Sequence, residues 1–316
     1  MPSHDVRFQK LLSRVLIRGR LTLLTALHIG ATHAQPVSGE TDTAVIKEFG
    51  EKPLIPGSSF KGALRATAER IVDSLSSTKV RTCYGAISGP GCYSVSKEIQ
   101  KAVKDALEKD GVTDEQNEMF VLLEGEQTRL IQEKSCYNCN FFGSPYLGSK
   151  VQIKDLQWLA GGAEDLRPLY HIRDGVSIDR DTDTAVEKRK FDFEVVEPGV
   201  KFDLEIVVEN PTAAELGLLF IALQQFEGRK GENGQRFPGA VALGGHKSRG
   251  LGRVDIQIES VEVMDEGGKL LKQAPKEAKL LHFLLTGAGH SLVGEKLSAF
   301  KKDMVEDFQT SLTEEG

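Results

Sequence analysis

The stretch that most constrains the fold runs from Gly39 to Arg65 and reads GETDTAVIKEFGEKPLIPGSSFKGALR. It begins as a polar loop that carries the isolated carboxylate Asp42, and it ends in a helix-like run behind a Pro-Gly turn. Ser58 and Ser59 are good N-cap residues, so a helix is predicted to begin here and to end near Leu75. Its apolar residues recur at roughly helical spacing and predict a buried face made by Phe60, Leu64, Ile71 and Leu75.

The start of this helix has the features of a phosphate site. Free backbone N–H groups at a helix N-terminus attract anions, and the two serine hydroxyls add hydrogen-bond partners. Lys61 and Arg65 are four residues apart, so both cations project from one side near the helix start. The pattern predicts a phosphate cradle that also includes Ser58 and Ser59. The alternative is an ordinary capped helix whose cations are solvated.

The distribution of charge leaves a nucleic-acid partner open. The chain has 316 residues and a net charge of −6, and this length suits one large domain or a core with substantial insertions. Residues 97–134 carry a balance of −4 and residues 303–316 a balance of −5, which leaves +3 for the rest. The acidic tail is predicted to be mobile. Because the acidity is confined to two segments, the core remains compatible with RNA binding.

The expected location is the cytoplasm, with no membrane partner. No stretch of sequence reaches the apolar length of a membrane span, and the start of the chain, MPSHDVRFQK, lacks the apolar core of a signal peptide. Cysteines in a cytoplasmic protein are more often reduced or metal-bound than disulfide-paired.

All four cysteines lie within residues 81–146, which are predicted to be an insertion. Cys136 and Cys139 form a Cys-x2-Cys knuckle, and Cys83 with Cys92 forms a second, wider pair. Four thiolates are enough for one closed tetrahedral site, so a structural zinc ion (Zn2+) is predicted to hold together an insertion that lacks a core of its own. A redox Cys-x-x-Cys is the main alternative, but no βαβ pattern supports it.

Alternating segments on both sides of this insertion predict strands. In residues 14–24 the apolar side chains alternate with Arg18 and Arg20, which predicts a strand with one buried face and one basic face. Residues 201–208 alternate in the same way and predict a core strand.

Two further elements complete the secondary-structure prediction. Thr212 and Glu215 form a capping box, which predicts a second helix that ends near Phe226. Two strand-like runs joined by a polar turn in residues 168–200 predict a projecting β-hairpin.

The segment Leu243–Ile256, LGGHKSRGLGRVDI, is rich in glycine and leads into a strand. This is not a dinucleotide fingerprint, because that motif leads into a helix. Glycines let a backbone approach a ligand closely, and interleaved cations suit a phosphodiester. The candidate RNA contacts here are Gly244, Gly245, His246, Lys247, Arg249 and Arg253. A plain glycine-rich hairpin turn is the alternative.

Three of these pieces together resemble the RAMP-superfamily backbone subunits of type III CRISPR–Cas effector complexes. They are LHIGA…GETDTAVIKE…LIPGSSFKGALR in Leu27–Arg65, HIRDGVSIDRDTDTA in His171–Ala185, and GGHKSRGLGRV in Gly244–Val254. The resemblance covers most of residues 10–260. Residues 262–316 match nothing in the family and form a C-terminal extension.

The resemblance implies an α+β fold with a ferredoxin-like (RRM-type) core over residues 10–260, a zinc-bearing insertion at 81–146 and a thumb β-hairpin at 168–200. Its implied partners are CRISPR RNA, target RNA, other effector subunits, and paralogues or copies of the chain itself. The RNA-binding residues would be Arg18, Arg20, Ser58, Ser59, Lys61 and Arg65, together with the six residues of the glycine-rich segment.

The resemblance also implies a catalytic residue. In catalytic members an aspartate in the loop before the Pro-Gly-Ser-Ser helix cuts target RNA, and Asp42 occupies that position. A carboxylate there can hold Mg2+ or Mn2+ or help to deprotonate a ribose 2′-OH. The preceding residues depart slightly from the family pattern, which makes Glu40 the alternative carboxylate.

Two other functions fit the same motifs. A purely structural backbone subunit would bind guide RNA without cutting and would differ only in whether Asp42 acts. A stand-alone, metal-independent RNA-processing nuclease would use His28 or His33 as general acid and base. A zinc-only interaction module leaves the glycine-rich segment unexplained.

Overall fold

The computed structural model of the protein describes residues 11–31, 43–75, 82–83, 91–109, 127–160, 168–178, 180–181, 183–230, 236–237, 239–264 and 289–313. The strands are β1 (Arg14–Leu23), β2 (Lys47–Glu48), β3 (Lys52–Ile55), β4 (Val151–Ile153), β5 (Leu156–Gln157), β6 (Tyr170–Ile178), β7 (Ala185–Val196), β8 (Lys201–Glu209), β9 (Arg229–Lys230), β10 (Arg236–Phe237), β11 (Val254–Val263) and β12 (His290–Leu292). The helices are α1 (Gly57–Ser74), α2 (Cys92–Lys109), α3 (Tyr137–Phe142), α4 (Ala213–Gln224) and α5 (Gly294–Thr313). Residues 127–134 are also helical.

The main sheet confirms the predicted α+β, ferredoxin-like core. Its strand order is β12–β11–β1–β8–β4, and neighbouring strands are antiparallel. Apart from the edge strand β12, these strands follow one another in the chain as β1, β4, β8 and β11. Helix α1 lies between the first two, and α4 lies between the last two. This is a βαββαβ arrangement in which the first strand lies between the third and the fourth.

One face of the sheet carries the core, as the alternation in residues 14–24 predicts. The apolar side chains of β1 that face inward are at most 1% exposed: Val15, Ile17, Leu21 and Leu23. They belong to one cluster with the buried residues of α1, α4 and α5. The capping box of α4 is confirmed, because Thr212 Oγ1 accepts from the backbone N–H of Glu215 and the Glu215 carboxylate accepts from the Thr212 N–H.

The C-terminal extension differs from its prediction, because most of the acidic tail forms the packed helix α5. Its apolar residues Leu297, Phe300, Met304 and Phe308 are buried at helical spacing. Gly217 of α4 allows the two helices to approach closely, since a Cβ at this position would lie 2.1 Å from the Met304 carbonyl oxygen. Asp303 and Glu306 are exposed, so these charges lie on the solvent side of an amphipathic helix.

The hairpin and the insertion form separate additions to the core. Strands β6 and β7 pair antiparallel from Tyr170 with Val196 to Ile178 with Ala185, which confirms the predicted hairpin. The insertion contributes α2, the helical segment 127–134 and α3. Among the helices that the structure describes, none has both the length and the apolar content needed to cross a bilayer.

Helix α1 begins earlier than predicted, and its cap comes from elsewhere in the chain. Pro56 is the N-cap residue and makes no side-chain cap, while Ser58 and Ser59 are exposed within the first turn. The backbone N–H of Gly57 donates to Asp155 Oδ1 at 2.8 Å. Two apolar positions differ as well: Phe60 and Leu64 are buried as predicted, but Leu75 is 44% exposed and Ile71 only partly buried.

Replacing the distant cap is expected to weaken the protein moderately. Asp155→Ala removes the carboxylate that accepts the hydrogen bond from the first N–H of α1. The free energy of unfolding, measured in a urea titration, should therefore fall by about 1 kcal/mol. Asp155→Asn is the matched control, because it keeps a hydrogen-bond acceptor and should lose only a few tenths of a kcal/mol, roughly. Equal losses in the two variants would show that the charge matters and that the hydrogen bond does not.

Candidate nucleic-acid interface and metal centre

Two short segments form a stem that holds the ends of the predicted catalytic loop side by side. We call residues 27–31 and 43–46 the loop stem. The Ala31 N–H donates to the Ala44 carbonyl at 3.0 Å, and the Ile46 N–H donates to the Ile29 carbonyl at 3.0 Å. The segment that the stem closes, 32–42, contains His33, Glu40 and Asp42, and these three residues lie outside the described part of the chain.

The base of the thumb hairpin docks on both strands of this stem. Leu27 and Val196 exchange backbone hydrogen bonds of 2.9 and 2.8 Å. The Glu194 N–H donates to the carbonyl of Thr43 at 2.9 Å. The hairpin and the loop stem, which are far apart in the sequence, are therefore joined by main-chain hydrogen bonds.

Glu194 is a buried carboxylate at this junction that sequence reasoning missed. Its Oε2 accepts from the Val45 N–H at 3.1 Å, and its Oε1 lies 3.0 Å from Lys47 Nζ. Burial alone would lower the pKa of Lys47, but hydrogen bonds with Glu51 and Glu194 raise it overall. Glu194 therefore fixes the stem to the thumb. In sequence it is one polar position in an alternating strand, with no signal that distinguishes it.

The glycine-rich segment closes on itself and docks on the other side of the stem. The Leu243 N–H donates to the Gly252 carbonyl, and the Gly252 N–H donates to the Ala26 carbonyl, both at 2.8 Å. The Gly245 N–H donates to the His28 carbonyl at 2.8 Å. Gly244 has a φ of +72°, and a Cβ there would lie 2.3 Å from the same carbonyl oxygen. Only glycine meets both requirements.

A cluster of rings joins the three motifs. The rings of Phe193 and His246 stack with centroids 4.4 Å apart, and the His28 ring lies 5.5 Å from His246. His28 is 8% exposed, and its Nδ1 lies 2.7 Å from the Glu194 carbonyl oxygen. Since a carbonyl oxygen only accepts hydrogen bonds, Nδ1 is the donor of this pair. Burial, with His28 and Arg249 nearby, lowers the pKa of His246.

The predicted cations of the glycine-rich segment separate into two groups. Lys247 and Arg249 are exposed in a short 3-10 turn between two left-handed residues, His246 and Gly250. The guanidinium of Arg253 instead donates to the carbonyl oxygens of residues 239 and 240, at 3.2 and 2.8 Å. Arg253 therefore holds residues 239 and 240, which precede the glycine-rich segment. The charges of Lys247 and Arg249 are exposed to solvent.

The structure does not bring Arg18 and Arg20 to this junction. Both lie on the open face of β1, where Arg18 pairs with Glu205 and Glu262 and Arg20 pairs with Glu259. These glutamates lie on the neighbouring strands β8 and β11. On the predicted basic face of the sheet, both arginines therefore form ion pairs with glutamates of adjacent strands.

Most groups of the predicted phosphate cradle at α1 form hydrogen bonds with other residues of the chain. Asp155 already accepts the first N–H of the helix. Lys61 Nζ lies 2.7 Å from Ser149 Oγ, and burial together with the Arg65 charge lowers the pKa of Lys61. Arg65 contacts Cys139 Sγ at 3.3 Å. Arg65 therefore faces the insertion, and Lys61 faces Ser149, just after the end of the insertion.

The four cysteines come together in one cluster. Their Sγ atoms all lie within 4.8 Å of one another, and all four are free thiols. Cys83 Sγ lies 3.4 Å from Cys139 Sγ and 3.6 Å from Cys136 Sγ. Cys83 and Cys92 are more widely spaced in the sequence than Cys136 and Cys139, yet the fold brings all four together. Cys92 is the first residue of α2, and Cys136 is the N-cap of α3.

The geometry of this cluster fits a tetrahedral zinc ion. Zinc–sulfur bonds of about 2.3 Å place the ligand sulfurs of a tetrahedron about 3.8 Å apart. Hydrogen bonds from Cys136 and Cys139 lower the pKa of Cys92, which favours its thiolate form. Four thiolates at these distances repel one another unless a cation lies between them. The donor set therefore could bind zinc, with all four cysteines as ligands.

Comparisons with known proteins identify relatives of this arrangement. A family model described as the RAMP superfamily matches residues 20–255, well over half of the chain. Two proteins named CRISPR system Cms endoribonuclease Csm3 match shorter parts. The one from Methanocaldococcus jannaschii is 44% identical over 57 residues, which are 18% of this chain and 23% of the relative. The one from Enterococcus italicus is 38% identical over 55 residues, 17% of this chain and 26% of the relative. The matched parts thus span about a quarter of each relative.

Proposed function

We propose that this chain, which belongs to the RAMP superfamily, is a CRISPR-RNA-binding backbone subunit of a type III effector complex and cleaves bound target RNA. The names of the two relatives, CRISPR system Cms endoribonuclease Csm3, support both the system and the activity. Within such a complex the partners would be guide RNA, target RNA, other subunits and copies or paralogues of this chain.

The observation that carries this proposal is the junction of the loop stem, the thumb base and the glycine-rich segment. Each motif is separated from the others by long stretches of sequence, yet backbone hydrogen bonds join all three. Lys247 and Arg249 are exposed in the glycine-rich segment, which is bonded to the loop stem through the Gly245 N–H and the His28 carbonyl. Cations next to close-approaching backbone suit a phosphodiester strand, which would then pass the loop that carries Asp42.

Asp42 is proposed as the catalytic carboxylate, with Glu40 as the alternative. The buried carboxylate described at the junction, Glu194, already contacts Val45 and Lys47 through its two oxygens. A divalent ion would therefore find its ligands on the loop, at Asp42 or Glu40. Mg2+ or Mn2+ held there would stabilise the negative charge of the attacked phosphate. Asp42 itself can accept the proton of the attacking ribose 2′-OH.

The histidine-based alternative is less well supported. His28 is buried, and its Nδ1 is engaged with the Glu194 carbonyl, so its described role is to join the stem to the thumb. The non-catalytic backbone subunit shares every described feature with the proposal, and the loop variants described in the Discussion separate the two.

The cysteine cluster is proposed to hold one structural zinc ion. It uses every cysteine of the chain, and a closed set of four thiolates leaves no position open for a substrate. Its role would be to hold α2 and α3 together beside α1.

The salt dependence of guide binding tests the RNA-binding part of the proposal. Arg249→Gln and Lys247→Gln should each weaken binding of a guide RNA and reduce the slope of log K against log salt by about 0.7–0.9, because each removes one phosphate contact. Lys302→Gln is the matched control, since it removes the same charge from an exposed position on α5. Slopes equal to those of the control would remove the glycine-rich segment from the interface.

A further inference from the structure

We propose that Arg65 is a positioning residue of the cysteine metal centre and not a contact to RNA phosphate. Its guanidinium spans two parts of the fold. Nε donates to Glu69 on the same helix at 2.9 Å, and Nη1 donates to the Gly143 carbonyl at 2.8 Å. Nη2 lies 3.3 Å from Cys139 Sγ. This inference rests on the proposed zinc site and extends it to a side chain outside the four ligands.

The charge of the site explains why it needs such a partner. A zinc ion with four thiolates carries a net charge of about −2. Cys92 and Cys139 are only 6% and 2% exposed, so water solvates this charge poorly. Backbone N–H groups offset part of it, from Cys136 to Cys92 Sγ at 3.0 Å and from Cys139 to Cys136 Sγ at 3.4 Å. Arg65 adds a full positive charge at the most buried of these sulfurs.

The position of Arg65 also connects the metal centre to the core. Arg65 lies on α1, two turns after the Pro56 cap, whereas Cys139 and Gly143 belong to the insertion. Glu69 holds the guanidinium in place and is itself 8% exposed. Metal bound at Cys139 would thus strengthen the attachment of the insertion to α1, because the same side chain bonds both.

Zinc affinity of the purified chain, measured by competition with a chelating dye, tests the inference. Arg65→Gln is expected to raise the zinc Kd by about 10-fold or more, as loss of a group that orients a metal ligand does. Arg70→Gln is the matched control: it removes the same charge from the same helix, and Arg70 is exposed and donates to Ala66 O and Thr67 Oγ1. The control should stay within about threefold of wild type.

A second variant guards against a simple folding defect. Arg65→Gln leaves the Glu69 carboxylate buried without its cation, which destabilises the helix by itself. The double variant Arg65→Gln, Glu69→Gln removes that unpaired charge and should show the same loss of zinc affinity as the single variant.

The outcomes separate this inference from the zinc proposal beneath it. A wild-type chain that binds no zinc overturns the zinc site itself. A wild type that binds zinc with an affinity unchanged in both Arg65 variants overturns only the role of Arg65. If Arg65→Gln and the double variant keep the zinc affinity of wild type and reduce the slope of log K against log salt for guide binding by about 0.7–0.9, Arg65 is a contact to RNA phosphate.

Discussion

Asp42→Ala is expected to abolish cleavage of target RNA by the guide-loaded complex, with guide binding within about twofold of wild type. Removing a positioned general base costs about 10²–10⁴-fold in rate, and removing a ligand of a catalytic ion costs at least as much. Guide binding should survive because the described junction does not depend on this side chain. Its neighbour Thr43 is held through its carbonyl oxygen by Glu194 of the thumb strand, and the stem is closed by main-chain bonds.

Glu40→Ala is the matched control, since it removes a second carboxylate from the same loop. It should leave the cleavage rate within about threefold of wild type. Cleavage lost in Glu40→Ala and retained in Asp42→Ala would transfer the catalytic role to Glu40. Equal loss of cleavage and guide binding in Asp42→Ala would give that residue a structural role.

The requirement for a divalent ion is measured on the same complexes by leaving out Mg2+ and Mn2+. A chelator is unsuitable for this purpose, because it would also remove zinc from the cysteines. Cutting that persists without Mg2+ and Mn2+ and is lost in His28→Ala or His33→Ala would favour the metal-independent nuclease. A wild type that binds target RNA and never cuts it would be a scaffold.

Cys139→Ser is expected to reduce the zinc content from about one ion per chain to almost none and to destabilise the fold strongly. Cys139 is 2% exposed, and its sulfur contacts both Cys83 and Arg65. Losing this ligand opens the site and leaves the Arg65 guanidinium without its sulfur partner. A loss of about 3 kcal/mol is expected, which for a chain of this length corresponds to a melting temperature lower by about 5 °C.

Zinc removal from the wild type provides the internal control for this variant. A chelator should lower the melting temperature of the wild type to about that of Cys139→Ser and should leave the variant unchanged, because the variant has no zinc to lose. A wild type without zinc, or a chelator that lowers both proteins equally, would contradict a structural metal at the four cysteines.

Local sequence patterns predicted the elements whose partners are close in the chain. The alternation in residues 14–24 predicted the buried face of β1, and Thr212 with Glu215 predicted the capped start of α4. Both signals depend on neighbours within one strand or one helical turn. The RAMP resemblance supplied the arrangement of these elements as a ferredoxin-like core, which the sheet order confirms.

Predictions were wrong where a distant group took the place of a local one. The serine pair predicts its own N-cap, but Asp155, 98 residues away, accepts the first N–H of α1 instead. The acidic tail predicts mobility, but its apolar positions find a partner on α4. In both cases the local sequence carries no information about which distant part of the chain packs against the segment.

The sequence by itself determined strands β1, β8 and β11, helices α1 and α4, the four-cysteine set and the three motifs that mark the family. The tertiary structure alone decided what these motifs do together. It closes the cysteines into one cluster, places the thumb base and the glycine-rich segment on the loop stem, and pairs Arg18 and Arg20 with glutamates of neighbouring strands. It also places Arg65 on Cys139, 74 residues away. The physical reason is that a periodic pattern reports which face of an element is buried, whereas the partner of a charge or a sulfur depends on how elements far apart in the chain pack.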